Sequence, residues 1–311
     1  MTTTNQTRYV LVWRKTRLEE LVGRFNTWPQ AQFYLEHNQA DPSDYLAEHD
    51  LYRQRVQEIE QVLKARGRFQ SLSRQYLPSF QFGPDDVVVV IGQDGLVANT
   101  LKYLDGQPVI AINPDPQRWD GILLPFETKD LDSVISTVSK GQSTVNEITF
   151  AQARTNDGQT LLAINDLFIG PKSHTSARYS LTWDGQTEQQ SSSGIIVSTG
   201  FGSTGWFASV LAGAVGVMKE TGTQNHPLQG GFDWSAQKLQ FAVREPFPSR
   251  TSSTSLVFGE VSLNKPLSLE SMMPENGVIF SDGVENDYLL FNSGCRVTIG
   301  LAEKRGRLVM G

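Results

Sequence analysis

Cysteine is almost absent from the sequence, with Cys295 the single instance in 311 residues. No disulfide can form within the chain, which fits a reducing compartment and sets a cytoplasmic location as the expectation. Basic residues are outnumbered, 27 Lys and Arg against 33 Asp and Glu, for a net charge of −6. No block of five cations occurs, so the basic stripe that neutralises nucleic-acid phosphates is missing. Apolar runs all fall short of the roughly 20 residues of a membrane span. The opening MTTTNQTRYVLVW lacks the basic and apolar regions of a leader. There is no GxxxxGK[ST] loop and no GxSxG elbow. The histidines His37, His49, His174 and His226 have no metal-ligand spacing, so no protein-held metal is expected. What remains is 39% hydrophobic and 19% charged, enough to bury a core.

The first third alternates strand and helix patterns. Tyr9–Trp13, Phe69–Leu72, Val87–Ile91 and Pro108–Ile112 are strand candidates. The unbroken β-branched run Val87–Ile91 suits a parallel strand covered on both faces. Residues 42–66 predict the longest helix: Tyr45, His49, Tyr52, Val56, Ile59 and Leu63 recur at three- and four-residue steps, with Arg and Glu outside. Leu96–Leu104 predicts a short one. This order indicates a doubly wound α/β layer. After about residue 140 the texture becomes antiparallel. Thr144–Ala153 and Thr160–Ile169 flank an Asn-Asp-Gly turn, and Tyr179–Trp183 precedes Asp184-Gly185. Ser255–Phe258, Leu239–Val243, Val278–Phe280, Tyr288–Phe291 and Arg296–Leu301 are further strand candidates. Two domains follow, 1–134 and 135–301, with 302–311 returning to the first.

Three stretches carry chemistry. In VVVVIGQDGLVANT, Asp94 stands between Gly92-Gln93 and Gly95 at the end of a buried strand, where open α/β sheets hold ligands. A carboxylate there can take a proton from a hydroxyl during phosphoryl transfer; the plainer alternative is a helix N-cap. In AINDLFIG, Asn165 and Asp166 interrupt an apolar strand. An amide beside a carboxylate suits vicinal ribose hydroxyls, and a bulge or turn suits them equally. In GIIVSTGFGSTG, Gly200, Gly202 and Gly205 spell the dinucleotide fingerprint G-x-G-x-x-G. Its setting in the antiparallel part, and Glu220 within the turn-rich Lys219–Pro227, speak for a small-residue strand-to-helix connection instead.

The order of these stretches, with PVIAINPDP at 108–116 and FSDG at 280–283, resembles the NAD kinase family over residues 9 to 300. The mitochondrial-type branch is closest. It shares the N-x-D-P segment with a following acidic-Gly pair in Asn113–Gly121, Ser-Ser-Gly before the glycine-rich strand, Trp in place of Tyr, and FAVREP at 241–246. The resemblance implies a Rossmann-like three-layer N-terminal domain and a sandwich-like, antiparallel β-rich second domain. It implies a kinase that moves the ATP γ-phosphoryl group to the adenosine 2′-hydroxyl of NAD, with Mg2+ carried by the nucleotide, in a homodimer or homotetramer. Asp94 matches the catalytic carboxylate. Gly92, Gln93 and Gly95 match the phosphate loop. Asn165 and Asp166 match the pair that holds NAD. Thr204, Trp206 and Ser209 match positions lining adenine, and Thr199, Gly202 and Ser203 match the framing loop. The chain departs from the family at Gln93, where GGDG is usual, at Leu96, usually Thr, and at Ser193, usually Asp. A non-catalytic NAD(P)-binding regulator, a kinase of another small hydroxyl substrate and a Rossmann oxidoreductase are the competing functions.

Overall fold

The computed structural model describes residues 7–221, 231–284 and 287–311. His226 and residues 222–227 of the turn-rich stretch lie outside the described residues. The chain divides into two compact units, one of residues 1–146 with 306–311 and one of residues 147–305.

The first unit is built on β1 (Arg8–Trp13), α1 (Arg17–Phe25), α2 (Trp28–His37), α3 (Pro42–Arg66), β2 (Arg68–Ser73), β3 (Val87–Ile91), α4 (Asp94–Leu101), β4 (Pro108–Ile112) and α5 (Leu131–Ser139). Strands β2, β1, β3 and β4 are parallel neighbours in that order. Every residue of β3 is buried, so its β-branched side chains fill both faces of the sheet. On one face Leu11, Val89, Ile91 and Ile110 pack with Tyr52, Val56, Ile59 and Leu63 of α3 and with Leu131 and Ile135 of α5. The alternate residues Val10, Val12, Val88 and Val90 are also fully buried and by the two-residue period face the opposite layer. This is the α/β arrangement expected.

Helix α3 spans the predicted residues, opened by an Asp41 cap on the Ser43 N–H at 2.8 Å with Pro42 in the first turn. Its polar face differs from expectation at one place. Glu48 is 2% exposed, buried because Arg14 (3.2 Å) and Arg17 both pair with it. His49 is half-buried and bonds the Thr16 hydroxyl at 2.9 Å, at the N-cap of α1. Helices α1 and α2 carried no sequence expectation: α1 buries only Leu18 and α2 only Ala31 and Leu35, too few residues for a periodic stripe.

The second unit is built on β5 (Thr144–Thr155), β6 (Thr160–Ala163), β7 (Asp166–Pro171), β8 (Ala177–Trp183), β9 (Gln186–Ser192), β10 (Ile195–Ser198), α6 (Trp206–Glu220), β11 (Leu239–Val243), β12 (Phe258–Val261), β13 (Leu267–Ser271), β14 (Gly277–Ser281), β15 (Tyr288–Leu290) and β16 (Arg296–Met310), of which β5 begins and β16 ends in the first unit. One sheet runs β12-β11-β10-β7-β14-β15, antiparallel throughout. The other includes the antiparallel order β16-β13-β8-β9, with β5 paired to β6. Inward residues of both, among them Leu167, Ile169, Val197, Phe241, Tyr179, Leu269 and Ile299, form the sandwich core. On the outer face of the first sheet, Phe168, Ile196, Ala242 and Val278 pack with Phe207 and Leu211 of α6.

Three elements depart from the sequence expectation. The run Thr160–Ile169 splits into β6 and β7, because the N–H groups of Ile164, Asn165 and Asp166 turn to the Asp282 carboxylate. The strand expected at Ser255–Phe258 begins only at Phe258. Strand β16 runs on past Leu301 to Met310, and its Arg307 and Leu308 pair Pro108 and Val109 in the first unit.

Candidate functional site

In the first unit β1 leads through α1–α3 to β2 on one side, and the chain then returns to β3 on the other. The carboxyl ends of β1 and β3 therefore flank the topological switch point of the sheet, where such folds bind ligands. Gly92-Gln93-Asp94 ends β3 there, and Arg14 follows β1. A Cβ added to Gly92 would lie 3.9 Å from the Arg14 side chain and 3.0 Å from Leu96. Asp94 is half-buried at the start of α4. Its carboxylate accepts the backbone N–H of Leu123 at 2.9 Å and of Ile122 at 3.3 Å, which fixes its direction. Those donors come from the segment containing Asn113–Gly121. Asn113, 4% exposed, donates to the Trp119 carbonyl at 2.9 Å and accepts from the Asp115 N–H at 3.0 Å. Gly121 has φ +63, and a Cβ there would lie 2.6 Å from the Asn113 amide nitrogen, so this turn requires glycine.

Gln93 has φ −116 and ψ 164, extended backbone that any residue adopts. A side chain at this position therefore imposes no strain on the loop. Leu96 is 3% exposed and packs into the core, and Gly95 is exposed. The Arg14 guanidinium gives one N–H to Glu48 and another to the Lys15 carbonyl at 3.0 Å. Its buried Nε has no hydrogen-bond partner among the described residues. Tyr52 ties the two strand ends together, donating to the Ile91 carbonyl at 2.9 Å and accepting from the Arg14 N–H at 3.0 Å.

In the second unit Asp282, at φ 55, receives the N–H groups of Asn165 at 2.7 Å, Ile164 at 3.0 Å and Asp166 at 3.3 Å. This cap turns Ile164 and Asn165 out of the strand run, and β7 begins at Asp166 beside them. The side-chain amide of the half-buried Asn165 makes no hydrogen bond among the described residues, and Asp166 is 6% exposed. The glycine-rich stretch closes behind them. Thr199 donates its hydroxyl to the Ile164 carbonyl, and its N–H bonds the Asn165 carbonyl at 2.9 Å. A Cβ on Gly202 would overlap the Asn165 carbonyl, so the close approach of these two backbones is possible only with glycine. Ser203 is fully buried, donating to the Gly200 carbonyl at 2.6 Å and accepting from the Phe232 N–H at 3.0 Å. The hydroxyls of Thr199 and Ser203 thus hold the loop. Thr204 and Ser209 are exposed. Trp206 is half-buried and stacks on Phe168, centroids 5.7 Å apart at 15°.

Because β10 has antiparallel neighbours on both sides, the glycines after it do not open a βαβ unit, and the oxidoreductase fingerprint is set aside. Sequence reasoning singled out FSDG without the part Asp282 plays, and it passed over Arg14 and Tyr52. A positive residue directly after a parallel strand was the available signal for Arg14. Among the described residues no group of three His, Cys, Asp or Glu could hold a metal ion. No helix among them is long and apolar enough to cross a membrane.

No family model matches the chain. A probable NADH kinase of Oryza sativa subsp. japonica is 24% identical over 222 residues, covering 64% of this chain. The chain spans 63% of the length of that curated relative. Two solved structures share the fold. An NAD kinase from Archaeoglobus fulgidus in complex with ATP aligns with TM-score 0.59 and 16% identity, covering 97% of this chain and 93% of the other. Yeast NADH kinase complexed with NADH aligns with TM-score 0.59 and 14% identity, covering 99% and 84%.

Proposed function

We propose that this chain, which has the fold of the NAD kinases and resembles them in sequence, phosphorylates the adenosine 2′-hydroxyl of NAD or NADH. The observation that carries the reading is Asp94, a carboxylate at the switch point whose direction two backbone N–H groups fix. ATP, with Mg2+ arriving as part of the nucleotide, is the donor. Its phosphates would be met by the backbone at Gly92, Gln93 and Gly95. Asn165 and Asp166 would hold the ribose, and Thr204, Trp206 and Ser209 the adenine side. Thr199, Gly202 and Ser203 act through the loop they hold. Asp94 takes the proton of the 2′-hydroxyl as its oxygen attacks the γ-phosphorus, and ADP leaves. Assembly as a homodimer or homotetramer and a cytoplasmic setting belong to the same proposal. Their support is the resemblance and, for the compartment, the single cysteine.

The test is NADP and NADPH formation from NAD or NADH with ATP or polyphosphate and Mg2+. Asp94→Asn is expected to lower turnover by about 10²–10⁴-fold, the usual worth of a general base. Undiminished turnover in that variant would remove Asp94 from the mechanism. Absence of product from the native chain with every donor would sink the kinase reading.

A further inference from the structure

The two N–H groups that direct Asp94 belong to a stretch with little structure of its own. Residues 113–125, between β4 and the return at Phe126, form turns and no helix or strand. Ordering such a stretch costs backbone entropy at every residue. Its ends are secured: the Asn113 N–H bonds the Phe126 carbonyl at 2.7 Å, and Leu123 and Leu124 are buried. Its middle is open to solvent, with Gln117, Arg118, Asp120 and Ile122 exposed.

That middle is fastened from outside. The Arg118 guanidinium lies on the Asp44 carboxylate as a fork, 2.6 Å to Oδ1 and 3.0 Å to Oδ2. Bidentate pairs of this kind fix direction as well as distance. Asp44 stands in the first turn of α3, the helix packed by its apolar residues on the sheet. It is held in turn by Arg17 of α1, which donates to Oδ2 at 2.8 Å and reaches Glu48 with its Nε. Arg118 and Arg17 keep the Asp44 carboxyl well below the usual carboxylate range, so the fork is ionised at neutral pH. The next residue, Trp119, has its ring centre 5.8 Å from the Arg14 guanidinium and 5.9 Å from that of Arg118. A few residues further on come the two donors to Asp94. The bond from Ile122, nearer Arg118 in the chain, is the longer, 3.3 Å against 2.9 Å from Leu123.

We propose that Asp44 and Arg118 are positioning residues: their fork fastens the 113–125 segment to α3 and thereby keeps the Ile122 and Leu123 N–H groups on the Asp94 carboxylate. Their part in catalysis rests on the kinase reading; the fastening itself does not. Both act through the segment, since the bonds to Asp94 come from the backbone at 122 and 123. With the fork removed the two donors drift, and the carboxylate is present but misdirected. Misplacement of a reacting group lowers the rate without weakening the binding of substrates held elsewhere.

Arg118→Gln, Asp44→Asn and the double variant test this in the full chain by amide hydrogen exchange and by kinetics. Exchange at Ile122 and Leu123 is expected to rise about two- to fivefold in each variant, the worth of one solvent-facing ion pair. The kcat is expected to fall about three- to tenfold, with KM for the dinucleotide and for ATP within about twofold of native. One fork means one loss, so the double variant should be no slower than the slower single variant. Arg66→Gln, which breaks a surface pair with Asp132 at the other end of α3, is expected to leave kcat unchanged. Protected amides in β3 report that every variant folds. A raised KM for ATP in Arg118→Gln alone, with Asp44→Asn like the native chain, would make Arg118 a phosphate contact and overturn the proposal. Losses that multiply in the double variant overturn it as well. Its failure and that of the kinase reading are distinct. Native turnover kept in full by all three variants sinks the positioning role and leaves the kinase. Absence of product from the native chain sinks the kinase, and the exchange rates at Ile122 and Leu123 then decide the fastening: faster exchange upholds it and unaltered exchange overturns it.

Discussion

Tyr52 lies deep in the first unit, 2% exposed, with its hydroxyl joining the ends of β1 and β3 through Arg14 and Ile91. Burial pushes its phenol up to about 12, against the smaller opposing effect of the Arg14 N–H bond and charge. An unfolded tyrosine ionises near 10. Between about pH 10 and about pH 12 the unfolded chain has lost a proton the native chain keeps, so stability from this group falls as pH rises through that window. Tyr52→Phe is expected to cost about 1–3 kcal/mol at neutral pH, because the Arg14 N–H and Ile91 carbonyl lose their buried partner. It should also make the alkaline loss of stability shallower by up to one proton. Urea titrations at several pH values check both. Glu48 shows what one-dimensional patterning misses at this scale. Its position on α3 reads as solvent-facing, yet arginines from a segment 31 and 34 residues earlier draw it inside.

At the scale of elements, the most legible pieces were those whose local pattern has a single solution. The β-branched runs of β3 and β4 fit only a doubly covered strand, and α3 repeats its apolar step over several turns. The division between β6 and β7 was not legible, since the acceptor that causes it lies more than a hundred residues downstream in Asp282. Strand β13 went unseen because LSLES is short and three of its five residues are polar. The candidate site follows the same rule. Asp94, Asn165 and Gly202 announce themselves in local motifs. Arg14 and the capping Asp282 come from segments that no periodicity joins to those motifs. Asp282→Ala tests the element-scale account. Removing the carboxylate leaves the N–H groups of residues 164–166 without their shared acceptor, at a cost of about 1–3 kcal/mol. Backbone amide exchange should rise at these residues and leave the core strand β10 protected. Unaltered exchange at Asn165 would show that another group holds the turn.

At the scale of the molecule, β16 contributes to both units. Its opening residues Arg296–Ile299 pair β13, and Leu308 and Val309, at 0% and 1% exposure, fill the first unit's core. A chain ending at Arg305 loses both of these side chains and the second partner of β4. The first unit is then expected to lose about 3–6 kcal/mol, the burial worth of two large aliphatic side chains. Limited proteolysis should then cut preferentially within residues 1–146, while the second unit resists. Equal resistance in both units would show that the last strand residues are dispensable.

The return of β16 also orders events on the ribosome. Most of the first unit emerges early, yet Pro108 and Val109 of β4 keep one edge unpaired until the residues after Arg305 have been made. At translation rates of about 5–20 residues per second, the intervening unit delays that edge's cover by roughly ten seconds or more. An unpaired apolar edge is open to wrong partners for that time. The nascent protein should thus depend most on chaperone protection during synthesis of its second unit.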